Sequence, residues 1–320
     1  MFLFYYESLY NSEKKIYDQI RNSVENVEQY VELGTAISSD KIVEILQYVL
    51  YDSPSLFYVK AEKINIISAI VKKKMILEYL YDNRNILLYK ERVINKAKWI
   101  ISKSCKNKKN SYECIKNLYQ YFVSNCSYEN NDYLSYTLIG ALLEEEAVCQ
   151  GYAYAFKYIL DILQIRNIVV SGTLQGVNHA WNMVWIDNQA YHVDVTAGIT
   201  TSAEIGINYD YLLVNDDAMK DAYLWDRGFF PICTSTHYSY YTVEGLIVRK
   251  FPELIKLLSK FNGLRFVSFK LEGEIKQLFE ENEGQMMRQV LDQITGNFNM
   301  KVEANYLYQN TVLHLSIKKG

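Results

Sequence analysis

A helical segment followed by three short strand-forming segments, between residues 150 and 195, is the part of this sequence that most restricts the fold. Residues 150–163 repeat apolar side chains at helical spacing, whereas 167–174, 180–186 and 189–195 are rich in residues that favour strands. Asp187 and Asn188 separate the last two strands, and both residue types tolerate the left-handed backbone of a two-residue hairpin turn. A helix followed by an antiparallel sheet predicts an α+β fold.

The hairpin turn also determines which residues of its two strands face each other. Counted back from the turn, residue 181 opposes 194 and residue 179 opposes 196, so His179 and Asp194 are diagonal neighbours on one face. Diagonal neighbours lie about 7–8 Å apart at the backbone, within reach of a hydrogen bond between imidazole and carboxylate. The spacing alone therefore predicts an Asp–His pair.

Cys149 stands where the preceding helix is expected to begin. The positive end of the helix dipole and a nearby imidazolium both favour the thiolate, which is the form that attacks a carbonyl. Backbone N–H groups of the first turn are suited to hold a developing oxyanion, and Gly151 leaves room close to the sulfur. We therefore predict Cys149 as nucleophile, His179 as its base and Asp194 as the residue that orients the base.

Three motifs in this region, residues 148–153, 178–182 and 191–196, resemble those of the bacterial transglutaminase-like superfamily in their order and spacing. The resemblance extends over about residues 10–245, and it implies a papain-like core and catalytic roles for Cys149, His179 and Asp194. One departure is Ala197-Gly198, because the family often has Trp-Asp or a similar pair after the Asp-x-Thr motif. This departure predicts an altered substrate cleft. Acidic calcium loops and large β-sandwich domains are not evident, so calcium-triggered cross-linking is not expected.

Four other residues are candidates for roles in the same site. His192 is an alternative base, although its ring would have to turn along its own strand to reach Asp194. Tyr136, Gln150 and Trp181 are candidates for contact with the substrate or the oxyanion, and for Trp181 a place in the core or cleft wall is favoured over a role as hydrogen-bond donor. A metal held by Cys149, His179 and Asp194 is a minor alternative, because the three ligands lack a fourth. We expect no cofactor. The remaining cysteines lack the helix-start context and are expected to be structural: Cys105, Cys114, Cys126 and Cys233.

The chain divides into three predicted parts. Residues 1–127 form a scaffold, 128–245 the transglutaminase-like core and 246–320 a small α+β module. In the first part we predict helices at 12–33, 39–50, 90–103 and 111–125, and strands at 56–59 and 64–71. In the last part we predict helices at 252–261 and 283–296, and strands at 264–271, 298–307 and 311–317.

Charge and cysteine content exclude several classes of protein. A net charge of -3 argues against a general nucleic-acid binder, and the short basic runs at 72–74 and 106–109 are expected to be solvated. No apolar stretch reaches the ~18 residues needed to cross a bilayer, so no membrane partner is expected. The five cysteines include no Cys-x-x-Cys pair, which predicts neither a disulfide framework nor a zinc site. We expect a cytoplasmic protein, unless a leader has been removed from the chain.

The function expected from these residues is acyl transfer on peptide or protein amides through a thioester on Cys149. Hydrolysis, as in a protease or amidase, is favoured over cross-linking because water is always available as the acceptor. The alternative is a catalytically silent transglutaminase-like module that binds peptides or proteins. The sequence does not define an oligomeric state.

Overall fold

The computed structural model describes residues 2–62, 64–105, 110–260, 266–298, 302–309 and 311–319. The first part combines five helices with a three-stranded antiparallel sheet of order β1-β3-β2. Its elements are α1 (Phe4–Ser8), α2 (Asn11–Glu25), β1 (Tyr30–Gly34), α3 (Ser39–Asp52), β2 (Asn65–Ser68), β3 (Lys72–Ile76), α4 (Asn83–Ser104) and α5 (Ser111–Asn125).

Two predicted elements of this part differ from the structure, one in its end and one in its type. The helix predicted at 12–33 ends at Glu25, since Val27 has a positive φ of 55°, and residues 30–34 instead pair with β3. The strand predicted at 56–59 is replaced by a 3-10 turn that begins at Pro54, and only Val59 forms a single bridge there. The helices predicted at 39–50 and 111–125 are confirmed, and α4 begins earlier than predicted because Asp82 caps it.

The middle of the chain contains three α-helices, a five-stranded antiparallel sheet of order β10-β6-β7-β8-β9 and a short parallel pair, β4-β5. Its elements are β4 (Ser127–Tyr128), β5 (Glu146–Ala147), α6 (Cys149–Ile162), β6 (Asn167–Leu174), β7 (Val177–Ile186), β8 (Gln189–Val193), α7 (Val195–Ile205), β9 (Leu212–Val214), α8 (Asp216–Met219) and β10 (Tyr223–Leu224). The predicted helix, the three strands and the α+β class are confirmed. The third strand stops at Val193, because Asp194 caps α7.

The two faces of β7 are buried in different parts of the core. Ala180 and Val184 belong to the large apolar cluster that also contains α6, while Trp181 and Met183 pack into a second cluster that contains Tyr5 of α1. The amide of Asn182 donates to the carbonyl of Ala153 in α6 at 3.0 Å. Because side chains alternate along a strand, one face of β7 packs on α6. These contacts hold the strand that carries His179 against the helix that begins with Cys149.

The last part adds a four-stranded sheet of order β11-β12-β14-β13. Its elements are α9 (Tyr240–Val243), β11 (Ile247–Val248), α10 (Phe251–Leu258), β12 (Phe266–Leu271), α11 (Gly273–Phe298), β13 (Val302–Gln309) and β14 (Val312–Lys319). The helix predicted at 283–296 corresponds to the second half of α11, which follows a kink at Asn282, and the side chain of Asn282 accepts a hydrogen bond from Gln285 N. Predicted positions 261, 264–265 and 299–301 lie outside the described residues.

Two observations bear on how the parts are joined. One apolar cluster runs from Leu9 to Leu213 and a separate one from Tyr241 to Leu315. Buried Asp210 accepts a hydrogen bond from Tyr241 Oη at 2.6 Å and contacts His314 Nε2 at 3.2 Å. The last part therefore has a core of its own and a buried polar link to the middle part, while the boundaries at 127/128 and 245/246 stay predictions.

The cysteines differ from the expectation in one respect. Cys105, at the end of α4, and Cys114, in α5, form a disulfide with their Cα atoms 4.6 Å apart. The prediction of no disulfide is wrong here because the two helices meet at a short connection, a proximity that the spacing of the cysteines did not reveal. Cys126, Cys149 and Cys233 are free thiols.

Two expectations concerning charge and membranes can also be compared with the structure. Lys72 of the first basic run pairs with Glu32 across the β1–β3 sheet at the surface, whereas the run at 106–109 lies outside the described residues. Within the described part of the chain, no helix combines the length and the apolar character that crossing a bilayer requires.

Candidate active site

Cys149 is the first residue of α6, as the sequence predicted. The preceding Val148 has an extended backbone, and its N–H donates to the carbonyl of Ser135 at 3.0 Å. Among the described residues, no side chain caps this helix. The backbone N–H groups of its first turn therefore have no side-chain cap and remain available next to Cys149.

The segment Tyr133–Tyr136 lies directly against the first turn of α6. A Cβ on Gly151 would lie 2.5 Å from the carbonyl oxygen of Ser135 and 2.9 Å from that of Thr137, distances that only glycine permits. The Gln150 amide donates to the carbonyl of Tyr136 at 3.1 Å. The space that Gly151 leaves next to the sulfur is thus occupied by the backbone of residues 135–137. This backbone forms one wall of the site.

The β7–β8 hairpin brings His179 and Asp194 together. Asp187 and Asn188 have φ values of 48° and 63°, as a two-residue turn of this type requires, and the register pairs Asn182 with Val193. His179 Nε2 lies 2.7 Å from Asp194 Oδ2. The Asp–His pair predicted from spacing is therefore confirmed, and the catalytic roles of the two residues stay predictions.

Asp194 is held by two further donors that the sequence did not reveal. Tyr223 Oη, from β10, donates to Asp194 Oδ2 at 2.7 Å, and the N–H of Ala197 donates to Oδ1 at 3.1 Å. The carboxylate is fully buried. It caps α7 and orients His179 at the same time, so its position is determined from three directions.

The electrostatics of His179 favour its protonated form. Burial disfavours the imidazolium, but the charge and hydrogen bond of Asp194 and the neighbouring Cys149 sulfur outweigh this effect and raise the pKa of His179 to about 10. With Nε2 bound to Asp194, the other ring nitrogen is the one left for Cys149. The arrangement is that of a thiol, an imidazolium and a carboxylate in series.

Trp181 is part of the core, as favoured from the sequence, but it is also a hydrogen-bond donor, contrary to expectation. Its side chain is 1% exposed, so it is not available for direct contact with a substrate. Its ring stacks on His179, with centroids 5.9 Å apart and planes 23° apart, and its Nε1–H donates to His192 Nδ1 at 2.9 Å.

The alternative base, His192, is engaged elsewhere. Its Nδ1 accepts the hydrogen bond from Trp181, and its Nε2 lies 2.9 Å from Asp216 Oδ1. Burial lowers the pKa of His192, although Asp216 opposes this effect. Since both ring nitrogens have partners in the core, the structure does not support His192 as the base for Cys149.

Three tyrosines lie near the first turn of α6. Tyr136, proposed from the sequence, is 38% exposed, and its hydroxyl accepts a hydrogen bond from Asn130. Tyr128, which the sequence did not single out, is 44% exposed, and its pKa is raised by burial and by the charges of Cys149 and Asp194. Burial and the charge of Cys149 also raise the pKa of Tyr51. Tyr128 and Tyr136 are thus the exposed aromatic groups beside the site.

The pair Ala197-Gly198 does not shape an open cleft, so the prediction of an altered cleft at this position is wrong. Both residues are buried, and a Cβ on Gly198 would collide with the Tyr119 hydroxyl and lie 2.7 Å from a methyl group of Val123. Small residues are required here because α7 packs closely against α5.

The comparisons with known proteins agree with this arrangement. Residues 100–195 match the model of the transglutaminase-like superfamily, and this range contains Cys149, His179 and Asp194. No curated protein matches the chain.

Two solved structures align with parts of the chain. The crystal structure of a TGase is 17% identical, with a TM-score of 0.30, over 54% of this chain and 52% of that one. A proposed cysteine protease from Cytophaga hutchinsonii is 12% identical, with a TM-score of 0.28, over 42% of this chain and 61% of that one. Alignments of this extent do not assign a reaction. Residues 100–195 of the chain are thus similar to the transglutaminase-like superfamily, and the α+β core agrees with that similarity.

Proposed function

We propose that the chain catalyses acyl transfer on peptide or protein amides through a thioester on Cys149, with hydrolysis as the main outcome. The observation that carries this proposal is the environment of one imidazole: His179 is hydrogen-bonded to Asp194, and the neighbouring Cys149 at the start of α6 contributes to the raised pKa of the ring.

The first half of the reaction follows from these contacts. The Cys149 thiolate attacks the amide carbonyl, and the negative charge moves to the carbonyl oxygen. The free N–H groups at the start of α6 are placed to stabilise that oxyanion. Gln150 is less suited to this role, since its amide already donates to the Tyr136 carbonyl. The C–N bond then breaks, His179 gives its proton to the leaving amine, and a thioester remains on Cys149.

The second half regenerates the enzyme. Neutral His179 takes a proton from a water molecule, the resulting hydroxide adds to the thioester, and the carboxylic acid leaves as the Cys149 thiolate re-forms beside the imidazolium. Asp194 keeps the His179 ring in one orientation throughout. An amine that enters in place of water would give a cross-linked or exchanged amide by the same steps.

One argument for the alternative function, a silent binding module, is the departure from the family's motif at Ala197-Gly198. Because these residues are explained by the packing of α7 on α5, they favour neither function. The two functions differ in the reactivity they require of Cys149.

Alkylation by iodoacetamide near pH 6 tests the proposal, and the other cysteines supply an internal reference. Burial raises the pKa of Cys126 to about 12 and raises that of Cys233 further, while Cys105 and Cys114 are joined in a disulfide. We expect Cys149 to react much faster than Cys126.

Two variants complete this test. His179→Ala should abolish the selectivity for Cys149, whereas replacement of exposed His237 by Ala should leave it unchanged. Slow, uniform labelling of the wild type would contradict the proposal and favour the binding module.

A further inference from the structure

The catalytic imidazole is backed by a buried hydrogen-bonded chain that the proposed reaction does not use. Trp181 stacks on His179 and donates through Nε1 to His192 Nδ1 at 2.9 Å. His192 Nε2 lies 2.9 Å from Asp216 Oδ1, and that same oxygen accepts the N–H of Cys233 at 3.1 Å. The chain thus runs from α8 to the ring of the proposed base.

The chemistry of the donors fixes the tautomer of His192. An indole N–H can only donate, so His192 Nδ1 must accept, and the ring proton sits on Nε2, where it is donated to Asp216. Burial lowers the pKa of His192, which keeps the ring neutral. Each hydrogen bond from Trp181 through His192 to Asp216 therefore has a defined donor and a defined acceptor.

This direction also argues against a metal at the same place. Among the described residues, His192, Asp216 and Cys233 have ligand atoms within 4.8 Å of one another. A metal on His192 Nε2 would move the ring proton to Nδ1, where it would face the Trp181 N–H, leaving two buried donors opposed. The cluster is better suited to orient Trp181 than to bind a cation.

The surrounding groups leave the Trp181 ring little freedom. Tyr223 and Trp225 pack edge-on against it, with centroids 5.3 and 6.0 Å away. A Cβ on Gly172 would lie 2.9 Å from Trp181 Cη2. Trp225 also covers His192 at 4.9 Å.

The charged and titratable groups around the two histidines belong to separate sets. His179 faces Cys149 of α6 and Asp194, and its ring packs against Tyr223 of β10. His192 faces Asp216 of α8, with Cys233 in the same cluster, and Arg227 lies over the Trp225 ring at 4.3 Å. The described contacts connect the two sets through Trp181.

We propose that His192 and Asp216 are positioning residues for the proposed base: they hold the Trp181 indole flat against His179 and so keep its imidazolium between Asp194 and Cys149. This inference rests on the proposed function. The stacked indole excludes water from one face of the His179–Asp194 pair, and the attraction between opposite charges is stronger where water is excluded. Loss of the hydrogen bond to Trp181 releases the indole, admits water and weakens the pair.

The test compares two variants of equal size. His192→Asn keeps an oxygen near the position of Nδ1, able to accept from Trp181, while His192→Leu has the same number of side-chain heavy atoms and no acceptor. Both lose the bond to Asp216 and leave a similar cavity. Trp181→Phe keeps an aromatic ring beside His179 and removes the donor together with part of the indole, and it covers the case in which a His192 variant fails to fold.

Two readouts separate positioning from structure. The pH dependence of Cys149 alkylation reports the loss of the imidazolium, and an NMR titration of the His179 ring reports the same event without any chemistry. The pKa of His179 is about 10 in the wild type, and we expect it to fall by about one unit or more in His192→Leu and Trp181→Phe. A shift of this size lies within the range by which a nearby opposite charge changes a pKa. His192→Asn should stay closer to the wild type.

The outcomes distinguish this inference from the function on which it rests. If all three variants lose thermal stability but keep the wild-type transition, His192 and Asp216 are purely structural and the inference is wrong. If the wild type shows no selective Cys149 alkylation, the proposed function fails, and the NMR titration still decides whether His192 positions His179.

Discussion

Replacing Asp194 with Asn tests how much of the site depends on one carboxylate. Its Oδ2 accepts from both His179 and Tyr223 at 2.7 Å, while its Oδ1 accepts from Ala197 at 3.1 Å. An amide side chain has a single acceptor oxygen, so in either orientation its NH₂ group faces a donor. The negative charge beside the imidazole is also lost.

The size of the effect follows from the pKa of His179. This pKa is raised from 6.5 to about 10 against the opposing effect of burial. Without the Asp194 charge, burial remains, and we expect the pKa to return toward 6.5. At about 1.4 kcal/mol per pKa unit, the imidazolium loses up to about 5 kcal/mol of stabilisation. The same replacement in serine protease triads lowers kcat about 10⁴-fold, and we expect a loss of 10³-fold or more here, on the order of that example.

The same interaction makes the stability of the fold depend on pH. Because the pKa of His179 is higher in the folded chain than in the unfolded one, its contribution is complete below pH 6.5 and is lost as the pH rises through about 10. The free energy of unfolding of the wild type should therefore fall over this interval. In Asp194→Asn this part of the fall should be absent.

The assay is the rate of Cys149 alkylation between pH 5 and 10, with the free energy of unfolding measured by denaturant over the same range. Asp82→Ala is the control: it removes the N-cap of α4, which accepts from Asn85 at 2.8 Å and is worth about 1 kcal/mol, and Asp82 makes none of the contacts described at the site. It should lower stability without changing the pH profile. An Asp194→Asn profile identical to the wild type would refute the reasoning.

Three further predictions concern other contacts. Tyr223→Phe removes one donor to the Asp194 carboxylate, and denaturation should show a loss of about 1–3 kcal/mol in the free energy of unfolding together with slower alkylation of Cys149; unchanged values would contradict this. Gly151→Ala places a Cβ 2.5 Å from a backbone oxygen and should slow alkylation of Cys149, whereas Gly284→Ala, with open space around it, should raise helix stability by up to about 1 kcal/mol; equal effects of the two variants would contradict the packing described for Gly151. Reducing the Cys105–Cys114 disulfide should lower the free energy of unfolding by about 2–3 kcal/mol for a loop of this length and leave alkylation unaffected.

The parts of the site that could be predicted are those set by local spacing. A two-residue turn at Asp187 and Asn188 fixes the register of two strands, and this register alone brings His179 and Asp194 to hydrogen-bonding distance. The position of Cys149 follows from the helical pattern that begins with it. Such inferences succeed because each needs only a turn type or a helical period.

The parts that could not be predicted depend on distant segments. Tyr223 reaches Asp194 from a two-residue strand that has no periodicity of its own, and Asp216 reaches His192 from a four-residue helix. The helix α2 ends early because Val27 adopts a left-handed backbone conformation. A β-branched residue such as valine rarely adopts this conformation, so the sequence contains no sign of it. In each case the tertiary contact overrides the local preference.

The most direct test of the central claim is to trap the acyl-enzyme. The wild type is incubated with a peptide library, quenched in acid and examined by mass spectrometry for a mass increase on the peptide that contains Cys149. The account predicts a thioester on Cys149 that hydroxylamine removes and that is absent from Cys149→Ala. An adduct on another residue, or no adduct on Cys149 under conditions in which the library is cleaved, would contradict it.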